Sequence, residues 1–240
     1  MGKVAVVTGA AGGMGRAIVA RLTGEGWAVV GLDVDRDGLA DMAQEGFAPM
    51  VVDLMDPEAI RRAFGKIEKM LGGVDALVNN AGTCFMGAFP DIPDAEFDRQ
   101  MALNFGAAFH CCQAAIKLML GREGVRKIVN ISSNGAYNFD VFDPPHYRAS
   151  KAALDNLTKD LARRYAREKI CVNSIAPAMT ETPLFGVLSE EVLEKAIAQM
   201  PHGRAMQASE IAAWVGFLLS DAGDVSSGNV IILNQGRDVR

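Results

Sequence analysis

A tyrosine and a lysine four residues apart, in Tyr147-Arg148-Ala149-Ser150-Lys151, share one face of a helix and lie one turn from each other. A phenol is a poor base near neutral pH, because its reference pKa is about 10. An ammonium held beside it favours the phenolate and draws that value toward working pH, which makes the phenol a usable acid/base. Upstream, Arg126-Lys127-Ile128-Val129-Asn130-Ile131-Ser132-Ser133 reads as a β-branched strand that ends in two hydroxyls. A hydroxyl at the C-terminal end of a parallel strand reaches the crevice in which open α/β sheets bind their ligands. The stretch 132–151 therefore supplies an acid/base, a cation that tunes it and a donor for a substrate oxygen.

Those groups need a sheet to position them. Lys3-Val4-Ala5-Val6-Val7-Thr8 is a short unbroken apolar run, as expected of a parallel strand buried on both faces. Gly9-Ala10-Ala11-Gly12-Gly13-Met14-Gly15 follows directly, and then a helix-forming run over 16–24. Strand, glycine loop and helix form the context in which a glycine motif is informative. Gly9 makes the tight turn, Gly13 lets the backbone approach a pyrophosphate, and Gly15 lets helix and strand pack closely. The phosphates would sit at the helix N-terminus, where free N–H groups and the dipole favour anions. A second strand, Trp27-Ala28-Val29-Val30-Gly31-Leu32, ends at Asp33, 20 residues after Gly13. At that spacing a carboxylate meets the adenosine ribose. It would accept from both ribose hydroxyls and repel a 2′-phosphate. The loop itself holds no basic residue, Arg16 being on the helix beyond it, so the expected cofactor is NAD rather than NADP.

The rhythm continues with a short helix over 37–44, a strand Met50-Val51-Val52 ending at Asp53-Leu54, and a helix over 57–70 with Asp56 as its N-cap. Val74-Asp75-Ala76-Leu77-Val78 is a fourth strand, closed by Asn79-Asn80-Ala81-Gly82, whose small residues let the backbone pass close to a flat ligand. This alternation means an α/β fold, a Rossmann-type doubly wound parallel sheet with helices on both faces. One long helix is expected over 93–120. Its part 103–120 is apolar nearly all round, with Asn104, His110, Gln113 and Lys117 as exceptions. A helix without a polar face is covered on two sides, so a second subunit is expected there, and a polar Asn104 in that setting needs partners. The helix bearing Tyr147 and Lys151 runs to about residue 169 and is followed by the strand Ile170-Cys171-Val172-Asn173-Ser174-Ile175. The segment 182–206, with two prolines and a helix-like patch over 189–200, interrupts the alternation as a substrate lid does. A helix over 209–219 and a strand over 229–233 complete a single domain, 1–240.

Composition narrows the function classes. With 240 residues, 50% hydrophobic and 22% charged, the chain can bury a large core. A net charge of −5 argues against a general nucleic-acid binder. The apolar runs stop well short of a membrane span, and since the N-terminus leads directly into a strand no signal peptide is expected. Cys84, Cys111, Cys112 and Cys171 show no metal-ligand spacing, and the three histidines are scattered. No metal is expected, and the setting reads as reducing and cytoplasmic.

Taken together, Thr8-Gly9-x-x-x-Gly13-x-Gly15, Asn79-Asn80-Ala81-Gly82, Asn104, Ser133, Tyr147-x-x-x-Lys151, and Pro177 with Thr182 resemble the short-chain dehydrogenase/reductases over essentially the whole chain. The resemblance implies seven parallel strands and a homotetramer. It implies that Tyr147 is the acid/base, that Ser133 rather than Ser132 holds the substrate oxygen, and that Lys151 binds the nicotinamide ribose. Asn104 would support a water-linked relay to Lys151. Thr182 and the backbone near Thr180 would touch the carboxamide, and Met14, Asp53, Leu54, Asn80, Ala81 and Pro177 would complete the cofactor contacts. Three departures stand out: Pro177-Ala178 where the family often has Pro-Gly, Asn234-Gln235-Gly236 where it usually has Asp-Gly-Gly, and a gap of 14 residues from Ser133 to Tyr147. The expected activity is NAD-dependent hydride transfer between a secondary alcohol or ketone and nicotinamide. A 3-oxoacyl-thioester reductase is the alternative, and a non-catalytic NAD-binding sensor or scaffold the alternative from another class. Phe139, Phe142, Met179, Leu184, Phe185 and Leu188 either line an apolar substrate pocket or pack the lid.

Overall fold

The computed structural model describes residues 2–138, 144–183, 186 and 189–238. Phe139, Phe142, Leu184, Phe185 and Leu188 lie outside the described residues. Six strands come first: β1 (Val4–Thr8), β2 (Ala28–Asp33), β3 (Phe47–Val51), β4 (Ala76–Asn79), β5 (Arg126–Ile131) and β6 (Ile170–Pro177). Two short strands, β7 (Thr180–Glu181) and β8 (Met206–Gln207), pair only with each other, and β9 (Val230–Leu233) returns to the main sheet. That sheet has seven strands, all parallel, in the order β3-β2-β1-β4-β5-β6-β9.

The continuous apolar strands make sense once both faces are followed. On β1, Ala5 and Val7 join a cluster with Ile18, Val19 and Leu22 of helix α1 (Gly13–Gly24). Val6 between them joins a second cluster on the opposite face with Ile60, Phe64 and Ile67 of a later helix. A period of two thus sends alternate residues into two cores. Each fully buried aliphatic side chain stabilises the fold by about 1.5–3 kcal/mol relative to exposure.

The helices divide accordingly. After α1 come α2 (Arg36–Ala40), α3 (Pro57–Leu71), α4 (Asp94–Met101), α5 (Ala107–Met119), α6 (Pro145–Arg164), α7 (Glu190–Ala198) and α8 (Ala208–Leu219). Ile211, Val215 and Leu218 of α8 lie with α1 in the first cluster, and Cys111, Ala115 and Ile116 of α5 lie with α3 in the second. Pro57 opens α3, where Asp56 accepts from the Glu58 N–H, as the sequence indicated. Other boundaries shift. β3 begins at Phe47 and runs through Pro49, which an edge strand tolerates because one side of its ladder is unpaired. α6 stops at Arg164, and Lys169 adopts φ +57° before β6.

The long helix expected over 93–120 is continuous but not uniform. A five-residue π-helical stretch, Ala102–Gly106, separates α4 from α5 and carries the buried Asn104. Such stretches are rare and gather at functional sites. The chain itself covers one face of α5, burying Cys111, Cys112, Ala115, Ile116 and Met119, while Phe109, Gln113, Lys117 and Leu120 stay exposed. Strand order reverses between β1 and β4, and the loops leaving those two strands flank the crevice in which sheets of this topology bind ligands.

Candidate active site

At the end of β1 the chain turns sharply, with Gly9 at φ +63° and its N–H bonded to the Leu32 carbonyl at 2.8 Å. A methyl group on Gly9 would lie 2.8 Å from the Ala81 Cα, and one on Gly15 would lie 2.0 Å from the Gly9 oxygen. Gly15 therefore permits the helix to meet the strand, as its spacing suggested. The Thr8 hydroxyl accepts from the Asn80 and Ala81 N–H groups at 3.0 and 3.1 Å, and Asn80 Nδ2 donates to the Thr8 and Gly9 carbonyls. These bonds lock the loops after β1 and β4 together. Helix α1 starts with no side-chain cap and no acid in its first turn, so its orphan N–H groups are disposed to receive an anion.

A cleft of about 420 Å³ opens above this loop. Gly9, Gly13, Met14, Asp33, Asp53, Leu54, Asn80, Ala81, Gly82 and Thr182 line it, which covers most of the cofactor contacts expected from sequence. Gly15, Tyr147, Lys151, Pro177 and Thr180 are not in its lining; Thr180 is buried, its hydroxyl donating to the Ala178 carbonyl at 3.0 Å. Asp33 sits at the edge, Oδ2 accepting from the Ala11 N–H at 2.9 Å and Oδ1 from the Asp35 N–H at 3.0 Å. Each carboxylate oxygen keeps further acceptor capacity. The lining also includes Gly12, Val34, Val52, Met55, Arg99, Leu103 and Pro183, which sequence reasoning missed. Val34 follows Asp33 directly and is 70% exposed. That adjacency was the one available signal, since Arg99 and Leu103 arrive from another element. Pro183 reaches the loop by tertiary packing, 2.9 Å from where a Gly13 Cβ would stand.

Gly82 joins the cleft to the Tyr147 helix. A Cβ there would be 3.2 Å from Asn104 Oδ1 and 3.3 Å from Lys151 Nζ. Asn104 is held at both ends of its amide: Oδ1 accepts from the Thr83 N–H at 2.8 Å, while Nδ2 donates to the Thr83 carbonyl at 2.9 Å and to Ser150 Oγ at 3.1 Å. Ser150 in turn donates to the Tyr147 carbonyl at 2.6 Å, so the π-helical stretch is tied to the Tyr147 turn through a residue that the sequence did not single out. Lys151 Nζ lies 5.9 Å from the Tyr147 ring centroid and donates to the Ile131 carbonyl at 2.9 Å. An ammonium carries three donors, and that carbonyl takes one. Ser133, expected to face substrate, here caps the short turn Asn134–Ala136, its Oγ accepting from the Gly135 N–H at 3.0 Å. Ser132 donates to the Lys151 carbonyl at 3.3 Å. Met179 packs against the α1/α8 core.

The electrostatics follow from burial. Lys151 is pushed down to about 8, because burial penalises its charge; Asp155, one turn further along α6, opposes the shift. The Asp155 carboxyl is itself raised by burial and accepts from Ser174 Oγ at 2.6 Å. Cys112 is raised to about 12 by burial, against a bond from Asn79. Among the described residues no cluster of His, Cys, Asp and Glu could hold a metal ion. The glycine cradle, the uncapped helix start and the remaining Lys151 donors fit a nicotinamide dinucleotide.

Comparison with known proteins accords with this geometry. Residues 9–238 match the family described as enoyl-(acyl carrier protein) reductase. The chain is 35% identical to an acetoacetyl-CoA reductase from Acinetobacter sp. (strain RA3849), over 98% of this chain and 97% of that one. It is 34% identical to a 3alpha-hydroxysteroid dehydrogenase from Mediterraneibacter gnavus, over 95% and 94%. The crystal structure of an actinorhodin polyketide ketoreductase variant with NADPH superposes with a TM-score of 0.92 at 28% identity, over 98% of this chain and 97% of that one. The chain belongs to the short-chain dehydrogenase/reductase family, and it is a nicotinamide-dependent oxidoreductase acting on CH–OH or ketone groups.

Proposed function

We propose that this protein uses NAD to interconvert a secondary alcohol and its ketone, with Tyr147 as the acid/base. The observation that carries the reading is the junction at Gly82, where Asn104 and Lys151 converge at the inner end of the cofactor cleft. Bound there, the nicotinamide supplies or accepts the hydride at the substrate carbon. Tyr147 takes or gives the hydroxyl proton, Ser133 holds the reacting oxygen, and Lys151 favours the phenolate while its spare donors bind ribose hydroxyls. Asn104 positions the Lys151 side of the site and supports a water-linked proton path. Gly9, Gly13 and Met14 cradle the phosphates while Gly15 lets the helix pack on the strand, Asp33 holds the adenosine ribose, Asp53 and Leu54 the adenine side, and Asn80, Ala81 and Gly82 the inner part. Thr182 and the backbone near Thr180 serve the carboxamide end, with Pro177 outside the cleft lining.

NAD is preferred over NADP because a ribose 2′-phosphate would meet the Asp33 carboxylate, with Val34 and not a basic residue beside it. The ketoreductase carrying NADPH shares the fold, so the discrimination rests on Asp33 alone. Titration of both cofactors tests it. Equal affinity, or tighter binding of NADP, removes the assignment, and replacing Asp33 with a neutral residue should narrow the gap.

A 3-oxoacyl-thioester reductase is the second reading, favoured by the similarity to an acetoacetyl-CoA reductase. A non-catalytic sensor or scaffold fits less well, because Asn104, Ser133, Tyr147 and Lys151 are all retained. Following NADH absorbance with secondary alcohols, and with ketones including ethyl acetoacetate and acetoacetyl-CoA, separates the three. We further propose one domain over 1–240 with a lid over 182–206, a homotetramer and a cytoplasmic setting. No described helix is long and apolar enough to cross a membrane, and no disulfide joins the four cysteines.

A further inference from the structure

The cofactor cleft is short of positive charge. Its lining carries two carboxylates, Asp33 and Asp53, and a single cation among the described residues, Arg99. Every nicotinamide dinucleotide, with or without a 2′-phosphate, brings an anionic pyrophosphate into such a cleft. The loop after β1 can meet that group with backbone N–H groups and the uncapped start of α1, but none of its side chains is basic. Arg99 is therefore the formal charge in the lining to which a pyrophosphate would be drawn.

The guanidinium is held in place yet left uncompensated. Asp94, Glu96 and Asp98 share α4 with it, and Glu96 is three residues away, a spacing at which helix side chains meet. Among the described residues, Arg99 makes no ion pair or hydrogen bond through its side chain; its contact is the Phe85 ring, whose centre lies 5.2 Å from the guanidinium carbon. A guanidinium lying over an aromatic ring keeps its N–H edge free, and that edge matches phosphate oxygens two at a time. The ring is itself fixed. The Phe85 N–H donates to Gln100 Oε1 at 2.9 Å, and the buried Gln100 donates through Nε2 to the Thr83 carbonyl, which also accepts from Asn104. Gln100 and Asn104 thus lace the loop after β4 to the helix, and the loop presents Phe85 as a platform for Arg99. Leu103, four residues after Arg99, lines the same cleft. The two share a face of the helix, with Arg99 about 6 Å further along it from Asn104 and the Lys151 junction.

We propose that Arg99 is a cofactor-binding residue, its guanidinium closing on the pyrophosphate from the α4 wall of the cleft while the loop after β1 holds the same group by its backbone. This rests on the reading that a nicotinamide dinucleotide fills the cleft. It is independent of the choice between NAD and NADP, since both carry the pyrophosphate: Asp33 decides which one binds, and Arg99 sets how tightly either is held. Coenzyme A also carries phosphates, so a thioester substrate is the competing source of the anion, and the experiment separates the two.

The test uses the full chain and direct titration with NADH and with ADP, which has the pyrophosphate but no nicotinamide. Arg99 is exposed, so its replacement leaves the fold intact. Arg99→Gln should weaken both ligands about tenfold, as losing a charge-assisted pair of hydrogen bonds would give. Arg99→Lys keeps the charge without the fork and should recover part of the loss. Phe85→Leu removes the platform alone and should weaken both ligands about threefold. Salt screens an exposed charge, so it should weaken NADH binding more steeply in the parent than in Arg99→Gln. An Arg99→Gln protein that binds NADH within about twofold of the parent overturns the proposal. So does a loss of affinity with the parental salt dependence, which a purely structural role would give. Parental NADH affinity with a KM raised for acetoacetyl-CoA but not for ethyl acetoacetate would put the anion on the substrate and overturn it as well. A parent that binds neither NADH nor NADPH removes the underlying reading instead, a result visible before any variant is made.

Discussion

Lys151 keeps a cation where burial works against it. Its pKa falls from 10.5 to about 8 in the fold, which corresponds to a destabilisation of up to about 3 kcal/mol at neutral pH. Because the folded value lies below the unfolded one, that cost is full below pH 8 and disappears as the pH rises toward 10.5. Lys151→Met should therefore raise the thermal midpoint at pH 7 by several degrees, and the gap from the parent should close by pH 10.5. Turnover and NAD affinity should fall in the same protein. Thermal scans at the two pH values check this; a variant no more stable than the parent at pH 7 would mean that the bond to the Ile131 carbonyl outweighs the burial. The reason for keeping so costly a group is catalytic. Alcohol oxidation should rise with pH as the Tyr147 phenolate forms, and Lys151→Met should move that rise upward, because losing the cation disfavours the phenolate. Tyr147→Phe should abolish nearly all turnover with NAD binding intact, since only the hydroxyl is lost. Ser133→Ala should lower kcat by about 10²–10³-fold. A Tyr147→Phe enzyme within tenfold of the parent would end the mechanism.

Elements written in local pattern were legible, and those set by tertiary contact were not. The β1 run and the glycine loop announced themselves because a strand buried on both faces must be apolar throughout, and because a Cβ at Gly15 would strike the Gly9 oxygen at 2.0 Å. The start of β3 at Phe47 was hidden, since Pro49 reads as a breaker until the strand is known to lie at the sheet edge. The π-helical stretch was hidden too. Nothing local distinguishes Ala102–Gly106 from α-helix, and the sequence showed only that Asn104 needed partners. Site residues followed the same division: Asp33 was fixed by its distance from the glycines, whereas Ser150, Arg99 and Pro183 enter from other elements. A glycine pair on α1 turns this into a measurement. Gly15→Ala should cost about 1–3 kcal/mol through overpacking and weaken NAD binding. Gly24→Ala, with nothing within 4 Å of its added carbon, should be neutral or stabilise by about 0.5–1 kcal/mol. Urea unfolding of both proteins decides it; equal costs would mean that the close approach at Gly15 relaxes freely.

Among the described residues, exposed aromatic side chains gather on two helical faces. On the α4–α5 side, Phe97 is 48% and Phe109 36% exposed, although most of the inward face of α5 is buried against the sheet. On α8, Trp214 and Phe217 are 40% and 48% exposed and meet edge to face at 6.1 Å. Grouped aromatic exposure of this kind marks interaction surfaces more often than solvent-facing ones. One such face can close a two-fold dimer; two faces on different helices close two different two-fold contacts, which together make a tetramer of dihedral symmetry. Light scattering at micromolar concentration should therefore give a tetramer. Phe109→Glu and Phe217→Glu should each remove one contact and leave a dimer, and the double variant should be monomeric. A parent that scatters as a monomer would show that these aromatics are simply tolerated in water. Two single variants that both stay tetrameric would show that the subunits meet elsewhere.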